Sequence, residues 1–288
     1  MCSMNTIYHV YSHGKVVLFR NNQDYVTINN NIAVLCYKRC VKVLAFSYMS
    51  THIHLLVESP GDEIIQSLVS DIFRIYSIEY SIKYGKRLRN QFSLCWKTVD
   101  EQSFMNELLY VMKNPVHHTV ARSVFSYQYT SASWIFLKEL IPDVVIIPFL
   151  SGCSAVSEIS VRRLRGISRS VSIPGEWLVS NYGMILPLSY VAVESVRAIW
   201  NNNVKKFLYD INKNSYDADY QILSADTLDI RCLGMNDIQV CTLIDKYVAD
   251  KNLRSFHFLE QDGASLLARK LSDKLIPESQ IRRCLWME

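Results

Sequence analysis

The chain has no long apolar run, no Cys-x-x-Cys pair and no strong excess of charge of either sign, and each lack excludes something. Its most apolar stretch, Val144 to Leu150, is interrupted by Pro148 and falls far short of the roughly 20 residues that span a bilayer. A soluble protein with no membrane partner is expected. Eight cysteines stand at positions 2, 36, 40, 95, 153, 232, 241 and 284, and nothing at the N-terminus resembles a secretion signal, so reduced thiols in a cytoplasmic protein are expected. Cys36 and Cys40, one helical turn apart, would need two further ligands to hold a metal, and core packing is their expected role. A formal charge of +4 and a pI near 8.5 permit an anionic partner without demanding one.

What is present is a globular composition: 288 residues, 49% hydrophobic and 20% charged, long enough for two domains of ordinary size. The most informative stretch is Thr51-His52-Ile53-His54-Leu55-Leu56-Val57-Glu58. Val41 to Met49 before it and Ile53 to Val57 within it have the β-branched and aromatic composition of strands, with Ser50-Thr51 as a tight connection. Strand side chains alternate between faces, so His52 and His54 project together, about 7 Å apart at their Cα atoms, while Ile53 and Leu55 turn the other way. Two neutral imidazoles so placed suit a divalent metal, although a hydrogen-bonded structural pair has the same local pattern.

Around that hairpin, alternation from Met4 to Ser12 predicts a first strand and Asn22 to Lys38 a helix. After the turn Ser59-Pro60-Gly61-Asp62, the stripe Ile64, Leu68, Ile72, Ile75, Ile78 and Ile82 predicts a long amphipathic helix ending near Gly85. Lys83 to Phe92 is the densest basic cluster, with Lys83, Lys86, Arg87 and Arg89 interleaved with Tyr84 and Phe92. Cations beside aromatic rings suit single-stranded nucleic acid, and a solvated loop has the same composition. Ser93 to Val99 is a fourth strand. A helix then opens on Asp100-Glu101 and is expected to stop at Pro115, with Tyr110 and Asn114 four apart on one face. A phenol and a carboxamide can thereby address one small volume.

Taken together, Leu44 to Met49, His52-Ile53-His54, and Tyr110-Val111-Met112-Lys113-Asn114-Pro115-Val116 resemble the REP-associated tyrosine transposases and the related IS200-like, single-tyrosine HUH transposases. Both halves match that family's pattern in order and spacing, and the resemblance runs from about Asn5 to Trp134. The chain departs from the pattern at Ser50-Thr51, usually Pro-Asn, and at His117, commonly Arg. The resemblance implies that His52, His54 and Asn114 hold one Mg²⁺ or Mn²⁺. It further implies that Tyr110 attacks a phosphodiester of single-stranded, hairpin-forming DNA to give a 5′-phosphotyrosine and a free 3′-OH. Tyr84 is the first alternative nucleophile. Lys15 and Arg20, with the basic cluster, are expected to line the DNA approach.

The expected architecture is a ferredoxin-like α/β sandwich with an antiparallel sheet over residues 1–145, then a mostly helical domain over 146–288. Near 264–286 two helices with Arg282 and Arg283 on the second are compatible with a DNA-binding helix-turn-helix, and equally with an ordinary helical hairpin. Two other functions compete with strand transfer. One is a non-catalytic, domesticated DNA-binding regulator; the other is a metal-dependent hydrolase that uses water in place of Tyr110. Whether the protein works as a monomer or a dimer is not legible.

Overall fold

The structure, a computed structural model, describes residues 5–88, 92–140, 150, 152–167, 172–213 and 234–287; Arg89 and residues 144–149 lie outside them. Four strands form the central sheet: β1 (Thr6–His13), β2 (Lys42–Tyr48), β3 (Ile53–Ser59) and β4 (Ser93–Val99). Their order is β2-β3-β1-β4 with every neighbour antiparallel. Helix α1 (Asn22–Lys38) connects β1 to β2 and α2 (Asp62–Tyr84) connects β3 to β4. The first region is thus a ferredoxin-like α/β sandwich. A further helix, α3 (Glu101–His117), follows β4.

Strand parity decides which helix covers which face. Tyr8 donates its hydroxyl to Asp62 at the start of α2 (2.6 Å), whereas its neighbour His9 meets Glu107 of α3 (2.7 Å). Adjacent strand residues face opposite ways, so α2 and α3 lie on opposite faces. Cross-strand pairing puts Tyr11 opposite His54 and Ser47 opposite His54 from the other side, which keeps the histidine of β3 at mid-sheet. Asp100 accepts from the backbone of Ser103 and caps α3, fixing the helix start.

Two local expectations differ from what forms. The buried stripe of α2 runs through Ile65, Leu68, Ile72, Tyr76, Tyr80 and Tyr84, while Ile78 and Ile82 are exposed. Tyrosines win those positions because each phenol finds a partner: the Leu18 carbonyl, His257 and Asp24 respectively. Pro115 does not stop α3, which continues to His117. A proline removes only one helical donor, and His118 N–H closes the turn on the Asn114 carbonyl at 3.0 Å.

The C-terminal region is largely helical, apart from a short pairing of β5 (Ser154–Ala155) with β6 (Leu178–Val179). The asparagine cluster of α1 explains how it docks. Asn29 donates to the Ile185 carbonyl and Asn30 to that of Gly183, while Ile185 N–H donates back to Asn30. Polar residues that weaken a free helix here satisfy the backbone of a neighbouring segment. Helices α4 (Asp237–Asp250), α5 (Gln261–Ser272) and α6 (Glu278–Leu285) then build a small core around Val240, Ile244, Leu271, Ile281 and Cys284, which Val17 of the first region enters. Among the described residues six cysteines are free: Cys36, Cys241 and Cys284 are buried, Cys95 and Cys153 partly so, and Cys40 is exposed beyond the end of α1 instead of packing in the core. No helix among the described residues is long and apolar enough to cross a membrane.

Candidate active site

Tyr110 and Asn114 of α3 meet the histidine hairpin on the sheet face that α3 covers. His52 Nε2 lies 3.2 Å from Asn114 Oδ1, and the His54 ring is 5.2 Å from both the His52 and the Tyr110 rings between centroids. Four of the residues singled out by sequence are therefore brought together. His52, His54 and Tyr110 open into a cavity of about 790 Å³ lined also by His9, His13, His118, Lys15, Lys97 and Glu107, while Asn114 is fully buried and outside its lining. Five of the chain's seven histidines thus line one cavity, and a sixth, His117, has its ring 5.8 Å from that of Tyr110.

His9, Glu107, His118 and Thr51 belong to the site but were not among the residues nominated from sequence. Glu107, Tyr110 and Asn114 fall at i, i+3 and i+7, so the helical face already contained the carboxylate. His9 shares its strand face with Tyr11, which pairs with His54. The signal was present, but only strand pairing says which faces meet.

The hydrogen bonds order the rings. His9 Nε2 is 2.9 Å from His54 Nδ1, and His9 Nδ1 is 2.7 Å from a Glu107 oxygen, close in distance though outside good hydrogen-bond alignment. The close approach of His9, then of Lys97, holds the Glu107 carboxyl down to about 2, so it is an ionised acceptor. In a neutral His9 ring the proton then sits on Nδ1, and His54 Nδ1–H donates to His9 Nε2. That leaves the Nε2 lone pair of His54 unprotonated. On His52, Nδ1 meets the Thr51 hydroxyl at 2.9 Å.

Burial, reinforced by the neighbouring His118, pushes His52 down to about 3, and burial with His52 and His9 nearby pushes His54 well below the ordinary histidine range. Both are neutral donors at physiological pH. Adjacent ligands of one octahedral Mg²⁺, each at about 2.1 Å, stand roughly 3 Å apart, close to the His52–Asn114 separation. The Asn114 carboxamide nitrogen is buried without a hydrogen-bond partner, which marks the group as held for something other than packing. Among the described residues no group of three or more His, Cys, Asp or Glu side chains is arranged to hold an ion, so a metal here depends on Asn114 joining the histidines.

The nominated cations divide. Lys15 is exposed and lines the cavity, and Gly14 before it permits this, since a Cβ there would stand 1.9 Å from the Thr51 carbonyl oxygen. Arg20 is not on any approach to the site. It is fully buried, donating to the Cys284 carbonyl (2.7 Å) and Asp245 (2.8 Å) with Phe256 beneath it, because the C-terminal helices pack over it. Lys83 is engaged by Asp24, and Tyr84 is buried with its phenol donating to the same carboxylate, far from a nucleophile's setting. Lys86 and Arg87 are exposed but line neither the site cavity nor the one beside it, whereas Phe92 does line the site. Arg282 is exposed beside Glu278, and Arg283 turns inward onto Asp237.

A ferredoxin-like sandwich carrying a tyrosine, a carboxamide and a histidine pair at one end of its third helix is the class that fold and site define. No family model matches the chain, and no curated protein matches it. Among solved structures, a REP-associated tyrosine transposase bound to a REP hairpin is similar, at 16% identity and a TM-score of 0.40, over 50% of this chain and 85% of that one.

Proposed function

We propose that the protein breaks and rejoins single-stranded, hairpin-forming DNA with Tyr110 as nucleophile, as a single-tyrosine transposase does. The observation that carries the reading is convergence: Tyr110, His52 and His54 line one cavity, Asn114, one turn from Tyr110, meets His52 at 3.2 Å, and both histidine rings are neutral.

In the proposed step the Tyr110 oxygen forms a bond to phosphorus as the bond from phosphorus to the 3′-oxygen breaks. A 5′-phosphotyrosine and a free 3′-OH result, and attack by a second 3′-OH reverses the step without ATP. His52, His54 and Asn114 would hold Mg²⁺ or Mn²⁺, which when bound supplies charge neutralisation at the phosphate oxygens. Lys15 at the cavity mouth steadies the strand, the rings of His9, His54 and His117 around Tyr110 exclude water from the phenol, and His117 offers a nitrogen base for its proton.

A denaturing gel of the protein incubated with hairpin oligonucleotides carrying single-stranded flanks, with Mn²⁺, tests this. A covalent adduct lost in Tyr110→Phe is expected. Cleavage without an adduct would assign the attack to water, and binding with neither would leave a regulator.

A further inference from the structure

A second cavity, about 470 Å³, adjoins the first, and Gly14, Lys15, His52 and His118 line both. Its near wall carries Val120 and the segment Ser126 to Tyr129; its far wall comes from the C-terminal helices, with Met235 to Ile238, Gln280 and Arg283. We infer that this cavity is a nucleobase subsite completed by the C-terminal region, taking one base of single-stranded DNA next to the scissile phosphate. The inference rests on the proposed function and names where its substrate continues.

Three observations argue for a neutral, planar guest. First, the fixed charges inside are engaged with one another. Arg283 grips Asp237 through Nε and Nη2 (2.7 to 3.1 Å), and Ser50 Oγ (2.6 Å) and Gln280 (2.9 Å) donate to the same carboxylate. Arg283 and Asp237 are thus committed to each other, so the pair neither draws a phosphate nor repels a base; Lys15, at the junction with the first cavity, is placed for the backbone.

Second, apolar side chains stand at the cavity from both sides. Val120 is 45% exposed and Met235 40% exposed, the one from the first region and the other from the C-terminal region, and Tyr127 adds a partly exposed ring to the lining. Flat heterocycles bind by such sandwiching, and the lining carboxamides of Gln128 and Asn236 can pair with a base edge. The volume lies within the ~300–1,000 Å³ of small-molecule sites.

Third, the far wall is tied to the catalytic hairpin. The Ser50–Asp237 bond lies two residues before His52, so the subsite keeps a fixed distance from the proposed metal ligands. A strand crossing His52 passes from one cavity into the other.

The experiment uses the full chain in a non-cleaving Tyr110→Phe background and a hairpin oligonucleotide whose single-stranded flank carries one abasic position, scanned along its length. Fluorescence anisotropy is expected to show one position where base removal weakens binding roughly fivefold to a hundredfold, the value of one stacked base. In Ile238→Trp, which fills the cavity, and in Met235→Ser, at an exposed position that spares the fold, that dip should vanish while the slope of affinity against salt stays unchanged. Tight binding with a flat abasic profile would overturn the subsite and leave the proposed function standing. No binding to any single-stranded oligonucleotide would overturn both.

Discussion

His9 Nε2 lies 2.9 Å from Nδ1 of His54, so the histidine of β3 is backed by another from β1 and, through it, by Glu107. Partners of this kind fix the tautomer and orientation of a ligating ring, and their loss typically costs 10–100-fold in metal affinity. Glu107→Gln keeps shape and removes the anion that holds the His9 proton on Nδ1. Mn²⁺ titration followed by electron paramagnetic resonance should show roughly tenfold or weaker binding than wild type with unchanged circular dichroism. Unchanged Mn²⁺ affinity would reduce the His9–Glu107 pair to packing.

The residues of the proposed site should separate binding from chemistry. Tyr110→Phe keeps the ring that packs against His54, so metal and DNA affinity are expected to survive while covalent adduct disappears. His52→Ala should lose metal and cleavage together. Asn114→Ala should fall between them, because solvent can replace a neutral carboxamide oxygen in part. An adduct still formed by Tyr110→Phe would require another tyrosine, and Tyr84, buried against Asp24, could supply one only by leaving its place.

How much of this was legible in the chain depends on the range of the interaction. Elements set by local pattern came out nearly to the residue: α1 spans Asn22–Lys38 and β4 Ser93–Val99, as alternation and turn residues indicate. The hairpin and the Tyr110–Asn114 face were legible because each is a short-range periodicity. His9 and Glu107 were not, since their partnership depends on β1 pairing with β3 and on α3 crossing that face, both long-range facts. Arg20 was misassigned because a basic residue in a turn looks exposed until the helices covering it, more than 200 residues later, are in place. The Ser50-Thr51 departure from the family pattern likewise acquires a reason only in three dimensions, where Ser50 bonds Asp237.

Arg20 should matter for stability and not for DNA. Its guanidinium is buried between Asp245, the Cys284 carbonyl and the Phe256 ring, so Arg20→Ala leaves a cavity and strips three partners. Breaking such a buried pair costs about 3 kcal/mol, discounted toward 2 because Asp245 is 39% exposed. Urea denaturation should show that loss. By contrast Lys15→Ala, at the mouth of both cavities, should leave stability unchanged and lower the salt slope of DNA binding by about one. Lys86→Ala and Arg87→Ala test whether the strand extends to that surface: a full unit of slope from each would carry the DNA path past the cavities.

Acidification should destabilise the protein in two stages. His52 titrates at about 3 and His54 well below the ordinary range, both chiefly through burial, against about 6.5 in an unfolded chain. Between those values the unfolded state binds more protons than the folded one, so stability rises with pH: it is fully present above about 6.5 and is lost as pH falls toward 3. Each ring contributes a slope of at most about 1.4 kcal/mol per pH unit. Glu107, held at about 2 mainly by the close approach of His9, adds a second loss that begins only below its ordinary value of 4.5. Denaturation midpoints measured from pH 7.5 to 4.5 should therefore hold level to about pH 6.5 and then fall, with His54→Asn flattening the curve because one buried imidazole is gone. Metal ions compete with protons for the same nitrogens, so saturating Mn²⁺ should add more stability at pH 7.5 than at pH 5. A midpoint that stays level from pH 7 to 5 would mean that these rings are protonated in the folded state, and neutral ligands would then be lost as the basis of the site.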